Sequence, residues 1–257
     1  MFYSLIEKKI ILKKLNLNKM KSNDKTLIII DNDHSLADKT CMYFIAETLF
    51  TKEEYEYFCN ENKKDKNWVE SFYRFYKMLK RKNITLDKLK ETIEKIELTK
   101  GMKELFEFIR KNKNKFNVII ASASNLFTIK TLIKYNKIDD VIDEIKTLDA
   151  IPSEEYLIKV TQKKFHNCPF CNPAQCKKEE FLDYEKENGT FKYHVYICDG
   201  LNDFCLTKIL GKNDYVCVRK DYDLYKKLCV EKKDKVDCNI FTWSNAEEII
   251  EILKKFC

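Results

Sequence analysis

The run Leu27-Ile28-Ile29-Ile30, which ends abruptly in Asp31-Asn32-Asp33-His34-Ser35, constrains this chain more than any other stretch. A short, β-branched apolar run with no polar alternation suits a central parallel strand covered on both faces. In an open α/β sheet, ligands enter the crevice outside the carboxyl ends of such strands, so chemistry is expected just past Ile30. Two carboxylates one residue apart can divide a nucleophile's task from a proton-transfer task, which makes Asp31 and Asp33 candidates for catalysis. An ordinary polar turn would look the same in isolation, so partners elsewhere must decide.

Two further apolar runs end in polar residues. Val118-Ile119-Ile120-Ala121 leads into Ser122-Ala123-Ser124-Asn125, and Val195-Tyr196-Ile197-Cys198 leads into Asp199-Gly200-Leu201-Asn202-Asp203. A serine hydroxyl and the backbone N–H groups after it can hold a phosphate oxygen, although a serine there also serves as a helix cap. Carboxylates such as Asp199 and Asp203 suit Mg²⁺, which takes few protein ligands and keeps several waters; the plainer reading is a loop capping the helix from Phe204. Apolar spacing predicts helices near 102–112, 126–135, 179–187, 204–210 and 246–256. Strands are predicted near 116–121, 141–145, 193–198, 215–218 and 240–243. That alternation implies a Rossmann-like α/β fold, a parallel sheet flanked by helices and joined by right-handed crossovers.

In combination, the Asp31-Asn32-Asp33 turn, Ile119-Ile120-Ala121-Ser122, Lys177 and Cys198-Asp199-Gly200-Leu201-Asn202-Asp203 resemble the four motifs of haloacid dehalogenase superfamily phosphatases. Gly101-Met102-Lys103-Glu104-Leu105, Ser122-Ala123-Ser124-Asn125 and Cys176-Lys177-Lys178 are similar to the phosphoethanolamine/phosphocholine and pyridoxal-phosphate phosphatase family within it. The resemblance covers the chain from Thr26 onward. It implies a Mg²⁺-dependent phosphomonoester hydrolase of a small phosphorylated metabolite, working through an aspartyl-phosphate. Asp31 is then the nucleophile and Asp33 the acid and base. Ser122, Ala123, Lys177 and Asn202 hold the phosphate, with Lys178 the alternative to Lys177. Mg²⁺ is held by Asp31, the Asp33 carbonyl and Asp199, with Asp203 acting through water. A phosphotransferase using the same aspartate, or an inactive binding protein, are the alternatives; the second is disfavoured because none of the four motifs has lost its key residue.

The resemblance also implies the organisation. Residues 1–25 form an N-terminal extension, 26–38 and 99–257 the phosphatase core, and 39–98 a helical cap inserted after the first strand. Within 39–98 the stripes Trp68, Phe72, Phe75, Leu79 and Leu86, Leu89, Ile93, Ile96 recur at helical spacing, with Thr85 an N-cap; both stripes are expected in the core. Residues 1–23 alternate apolar residues with lysines, as an extension docked on the core or an amphipathic helix would.

Composition narrows the partners. The net charge is +7, but arginine occurs only at Arg74, Arg81, Arg110 and Arg219, and lysines are scattered among acids without forming a stripe, which argues against nucleic acid. No apolar run approaches the roughly 18 residues of a membrane span. Eleven cysteines, an odd number without a preceding signal sequence, fit a reduced, cytoplasmic setting. Four potential ligands, His166, Cys168, Cys171 and Cys176, crowd into eleven residues in the pattern H-x-C-x2-C-x4-C. A structural Zn²⁺ site is one reading; a reduced cysteine loop or a redox-sensitive Cys168–Cys171 pair are the others.

Two departures from the family concern substrate. Ala123 follows Ser122, and Met42 follows Cys41, where the related sequences carry acids that face a cationic head group. With both acids missing, a neutral or aromatic phosphate such as pyridoxal phosphate is expected over phosphoethanolamine or phosphocholine, unless Asp38 stands in for the missing charge.

Overall fold

The computed structural model describes residues 22–65, 67–232 and 234–257. Its frame is a seven-stranded sheet in the order β4-β3-β2-β1-β5-β6-β7. The strands are β1 (Ser22–Ile30), β2 (Phe116–Asn125), β3 (Glu144–Ser153), β4 (Leu157–Thr161), β5 (Thr190–Cys198), β6 (Tyr215–Arg219) and β7 (Asn239–Trp243). β1 is central, paired in parallel with β2 on one side and β5 on the other. Its four apolar residues explain that place. Ile28 and Ile30 enter one buried cluster and Leu27 and Ile29 the other, so both faces of the strand are dry. Burial of each such side chain is worth about 1.5–3 kcal/mol, which makes this strand hard to move to an edge. Chain order reverses direction at β1, so the crevice between the carboxyl ends of β2, β1 and β5 is the switch point where an α/β sheet binds its ligand.

The sheet is parallel except at one edge. β4 pairs antiparallel with β3 across Asp149–Thr161 to Ser153–Leu157. The expected strand at 141–145 begins instead at Glu144 and runs on to Ser153, because Val141 closes a turn onto Ile138. Pro152 and the acidic turn after it mask this hairpin in the sequence, since both are loop signals. β1 also begins before the expected boundary at Thr26, since Ser22 and Asn23 already pair with Thr190 and Phe191. The remainder of the expected extension, 1–21, lies outside the described residues. A helical segment over 223–231 has no counterpart among the expected elements.

Between β1 and the helix Met102–Lys111 lie four helices: α1 (Cys41–Leu49), α2 (Lys52–Asn62), α3 (Trp68–Arg81) and α4 (Leu86–Ile93). Local chemistry starts three of them. Thr51 and Glu54 form a capping box on α2, Asn67 caps α3 through the Val69 amide, and Thr85 accepts from the Lys88 amide to open α4. Phe58, Phe72, Phe75, Tyr76 and Leu79 pack into the same apolar cluster as Ile28 and Ile30. The two chain segments that enter and leave these four helices run side by side: the Thr99 amide donates to the Leu36 carbonyl at 2.9 Å, and the Asp38 amide to the Glu97 carbonyl at 3.0 Å. Among the described residues no helix is long and apolar enough to cross a membrane.

Candidate active site

Three strands deliver polar groups to one crevice. Asp31 follows β1, Ser122 lies near the end of β2, and Asp199 follows β5, all of them buried. Carboxylate oxygens of Asp31, Asp199 and Asp203 lie within 4.8 Å of one another. Against these three acids stands one buried cation. The Lys177 ammonium sits 2.5 Å from Asp31 Oδ2 and also contacts Asp203 Oδ1, with only 2% of its side chain exposed. Lys178, its neighbour, faces outward and pairs with Glu179 at 3.2 Å. A helix explains the difference, since Lys177 and Lys178 open the helix Lys177–Asn188 about 100° apart.

Each acid has a distinct setting. Asp31 Oδ1 accepts from the Asn32 amide at 2.6 Å. Asp33 Oδ1 accepts from the Asn32 side chain at 2.7 Å and from the Cys41 amide at 3.1 Å, which places it at the amino end of α1. Asp199 Oδ1 accepts from the Ser35 hydroxyl at 3.1 Å. Asp203 is occupied on both oxygens: Oδ2 by the amides of Asp199 (3.2 Å) and Gly200 (2.9 Å), Oδ1 by Lys177 and the Tyr196 hydroxyl. It orders the loop and the lysine more than it offers a free ligand.

The charge balance leaves this cluster short of cation. Burial pushes the Asp31 carboxyl up to about 7, with Lys177 pulling it down and Asp203 pushing it further up. Burial, then the negative charges of Asp31 and Asp203, raise Asp199 to about 9. Burial works against the Lys177 ammonium, but Asp203 and Asp31 hold it well above the ordinary lysine range. Two buried carboxylates that resist ionisation beside one lysine, offering only hard oxygen donors, fit a divalent cation of the Mg²⁺ type.

A cavity of about 340 Å³ opens over these groups, near the lower end of the about 300–1,000 Å³ usual for small-molecule sites. Asp31, Asp33, Ser122, Ala123, Asp199 and Asn202 line its floor. Its far wall comes from the stretch that runs from β1 through the helix Trp68–Arg81: Thr40, Met42, Tyr43, Trp68 and Phe72. The expectation that the Trp68 stripe is core holds for Phe72, Phe75 and Leu79, which are all buried, while Trp68, half-buried in the first turn of the same helix, faces the cavity that Phe72 also borders. Periodicity does not distinguish the two ends, because both lie on one helix face. Asp38, the expected stand-in for a missing acid, is not on the cavity wall: its Oδ1 pairs with Arg219 at 2.5 Å, and Arg219 also donates to the His34 carbonyl at 2.7 Å.

The cysteine loop differs from expectation in one ligand. Cys168, Cys171 and Cys176 converge with Cys205, not with His166. His166 is engaged within its own loop, with Nε2 3.0 Å from the Asn172 carbonyl oxygen and Nδ1 accepting from the Cys168 amide at 3.2 Å. Spacing alone favours His166 because it is close in sequence. Cys205 reaches the loop only because β5 and the turn after it bring it there.

A mostly parallel sheet with its switch point at β1, acids at the ends of β1 and β5, and a buried lysine between them define a phosphatase of the haloacid dehalogenase superfamily. The chain belongs to the family described as "Putative Phosphatase", whose model matches residues 26–257. It is 31% identical over 236 residues to the pyridoxal phosphate phosphatase PHOSPHO2 of Bos taurus, covering 90% of this chain and 98% of that protein. It is 26% identical over 185 residues to the phosphoethanolamine/phosphocholine phosphatase of Gallus gallus, covering 68% of this chain and 69% of the other. A substrate-bound phosphoserine phosphatase shares the fold, with a TM-score of 0.58 at 16% identity over 90% of this chain and 99% of that one.

Proposed function

We propose that this phosphatase hydrolyses small phosphomonoesters with an aromatic or neutral body, pyridoxal phosphate foremost, through a phosphorylated Asp31. The observation that carries the substrate reading is the cavity wall. Met42, Tyr43, Trp68, Phe72 and Ala123 line the space above Asp31, and by the family resemblance Met42 and Ala123 stand where related sequences carry an acid that faces an ammonium group; Asp223, also on the lining, is paired with Lys226. Aromatic faces and a thioether suit a flat ring. The relative from Bos taurus, named as a pyridoxal phosphate phosphatase, supports the same choice.

In the proposed reaction the Asp31 carboxylate attacks phosphorus in line, and the P–O bond to the leaving alcohol breaks. Asp33 gives that alcohol its proton. Its Oδ1 is already engaged by Cys41 and Asn32, which orients the carboxyl and leaves the other oxygen for proton exchange. Water then attacks the phosphorus of the aspartyl-phosphate, Asp33 takes back a proton, and phosphate leaves with Asp31 restored. The Ser122 hydroxyl, the backbone after it, Asn202 and the Lys177 ammonium bind the equatorial oxygens as their charge shifts. Asp31, the Asp33 carbonyl and Asp199 would hold Mg²⁺, with Asp203 behind them, and the bound ion would supply positive charge to the phosphoryl group. The insert over residues 39–98 excludes water from the acyl-phosphate, its paired entry and exit segments acting as the hinge.

The test compares kcat/KM for pyridoxal phosphate and phosphoethanolamine with Mg²⁺ present. Higher efficiency on pyridoxal phosphate is expected, and Met42→Asp with Ala123→Asp should shift the ratio toward phosphoethanolamine. A wild-type preference for phosphoethanolamine would overturn the substrate reading while leaving the phosphatase chemistry in place.

A further inference from the structure

Outside the crevice, four cysteine sulfurs from three separate chain segments meet within 4.8 Å of one another. Cys168 and Cys171 come from the Cys168-Pro169-Phe170-Cys171 knuckle, Cys176 precedes the helix Lys177–Asn188, and Cys205 lies in the short helix Phe204–Thr207. None of them is in a disulfide. Four sulfurs around one point is not how free thiols pack, since each is a weak donor with a hydrophobic body and gains little from the others. The Sγ of Cys205 is 3.0 Å from that of Cys171 and 3.9 Å from that of Cys176. Tetrahedral zinc, with Zn–S of about 2.3 Å, spaces its sulfurs by about 3.8 Å, between those two values.

The surroundings suit a negatively charged metal–thiolate group. Amides of Lys178 and Glu179, at the amino end of a 12-residue helix, donate to the sulfurs of Cys205 and Cys176. The Lys178 ammonium lies near Cys176 and Cys168, and the Lys208 ammonium lies over the rings of Phe170 and Phe204 beside the cluster.

We propose that Cys168, Cys171, Cys176 and Cys205 bind one structural Zn²⁺ that clamps the active-site segments together. Binding replaces four S–H bonds with four Zn–S bonds, and the four protons leave to solvent. The position of the cluster gives the clamp its purpose. Cys176 is adjacent to Lys177, Cys205 is two residues past Asp203, and Cys171 and Cys205 both lie within 3.8 Å of the Asn202 carbonyl. The same loop reaches the insert: Asn172 Oδ1 accepts from the Trp68 amide at 3.1 Å and from the Ala174 amide at 2.9 Å. One metal would thus hold in register the lysine that meets Asp31, the loop that carries Asp199, and the helix that presents Trp68. The four cysteines are positioning residues in this arrangement, and the proposal stands apart from the choice of substrate.

The full chain, purified without chelator or added metal, should carry about one zinc per chain by elemental analysis, with four sulfur neighbours in zinc-edge X-ray absorption. The acidic cluster offers only oxygen, so sulfur scattering separates the two sites. Cobalt exchanged for zinc should show the intense sulfur-to-metal absorption of a tetrahedral thiolate site. Cys205→Ser should lose at least about nine-tenths of the zinc, while His166→Ala keeps it. Folded wild type with less than about a tenth of a zinc per chain, two oxidised cysteines in the native thiol count, or zinc lost from His166→Ala would each overturn the assignment. If Cys205→Ser does not fold, the wild-type absorption edge and cobalt spectrum decide alone.

Discussion

Lys177 Nζ lies 2.5 Å from Asp31 Oδ2 and bonds Asp203 as well, so a single buried ammonium joins the end of the first strand to the loop after β5. Loss of that charge leaves two buried acids facing each other. Lys177→Met should lower kcat/KM by about 10²–10³-fold, the range seen when a preorganised transition-state donor is removed. It should also cost about 3–5 kcal/mol of stability in urea unfolding, as expected for a broken buried pair. Lys178→Ala, made on the half-buried, outward-facing neighbour, should change neither quantity appreciably. Equal effects of the two substitutions would remove Lys177 from the proposed role.

The excess of acid at the crevice predicts a response to metal. Mg²⁺ at 100 times its dissociation constant should stabilise the native chain by about 2.7 kcal/mol, read as a rise in thermal midpoint. Asp199→Asn should lose that rise without lowering the metal-free midpoint, because it removes one of three crowded carboxylates. A midpoint that still climbs with Mg²⁺ in the Asp199→Asn variant would place the ion elsewhere.

Trp68 is the aromatic side chain of the cavity wall carried by the first turn of α3. Trp68→Ala should reduce kcat/KM for pyridoxal phosphate about tenfold, mainly through KM, since a stacking partner is worth about 0.5–1.5 kcal/mol beyond its buried area. Phosphoethanolamine, with no ring to stack, should be affected less than about twofold. Steady-state kinetics on both substrates decide it.

Away from the site, His194 bridges Asp214 at 2.9 Å and Glu185 at 3.1 Å. Burial disfavours its charge, but the hydrogen bonds to those two carboxylates outweigh burial and raise it to about 9. An unfolded histidine titrates near about 6.5. The native chain therefore holds this proton more tightly, so its contribution to stability is complete below pH 6.5 and is lost as pH rises through about 9. Thermal midpoints should fall across that window in wild type and fall less in His194→Gln. Parallel curves would mean that the bridge contributes no linked stability.

Much of this molecule was legible from residues adjacent in the chain. A strand buried on both faces must be apolar at consecutive positions, so Leu27–Ile30 announced itself as the centre of the sheet, and the polar residues after three such runs marked the end at which the cavity opens. Helix caps were readable for the same local reason: Thr85 needs only the amide three residues on. The resemblance carried the motif roles further than the residues alone would have.

What the chain order could not contain was decided by crossings between distant segments. Lys177 and Lys178 are equivalent in composition, and only the rotation of one helix buries the first against Asp31 and turns the second to water. Asp38 looked free in sequence until the end of β6 brought Arg219 onto it. The cluster exchanged His166 for Cys205 because a side chain's neighbours are set by strand pairing, and β5 carries Cys205 to a loop that lies 29 residues earlier, counted from Cys176. Sequence determined which chemistry this chain carries, because apolar patterning and residue type act locally; tertiary structure decided which of those groups meet, because burial and hydrogen bonding are settled between segments that the sequence keeps apart.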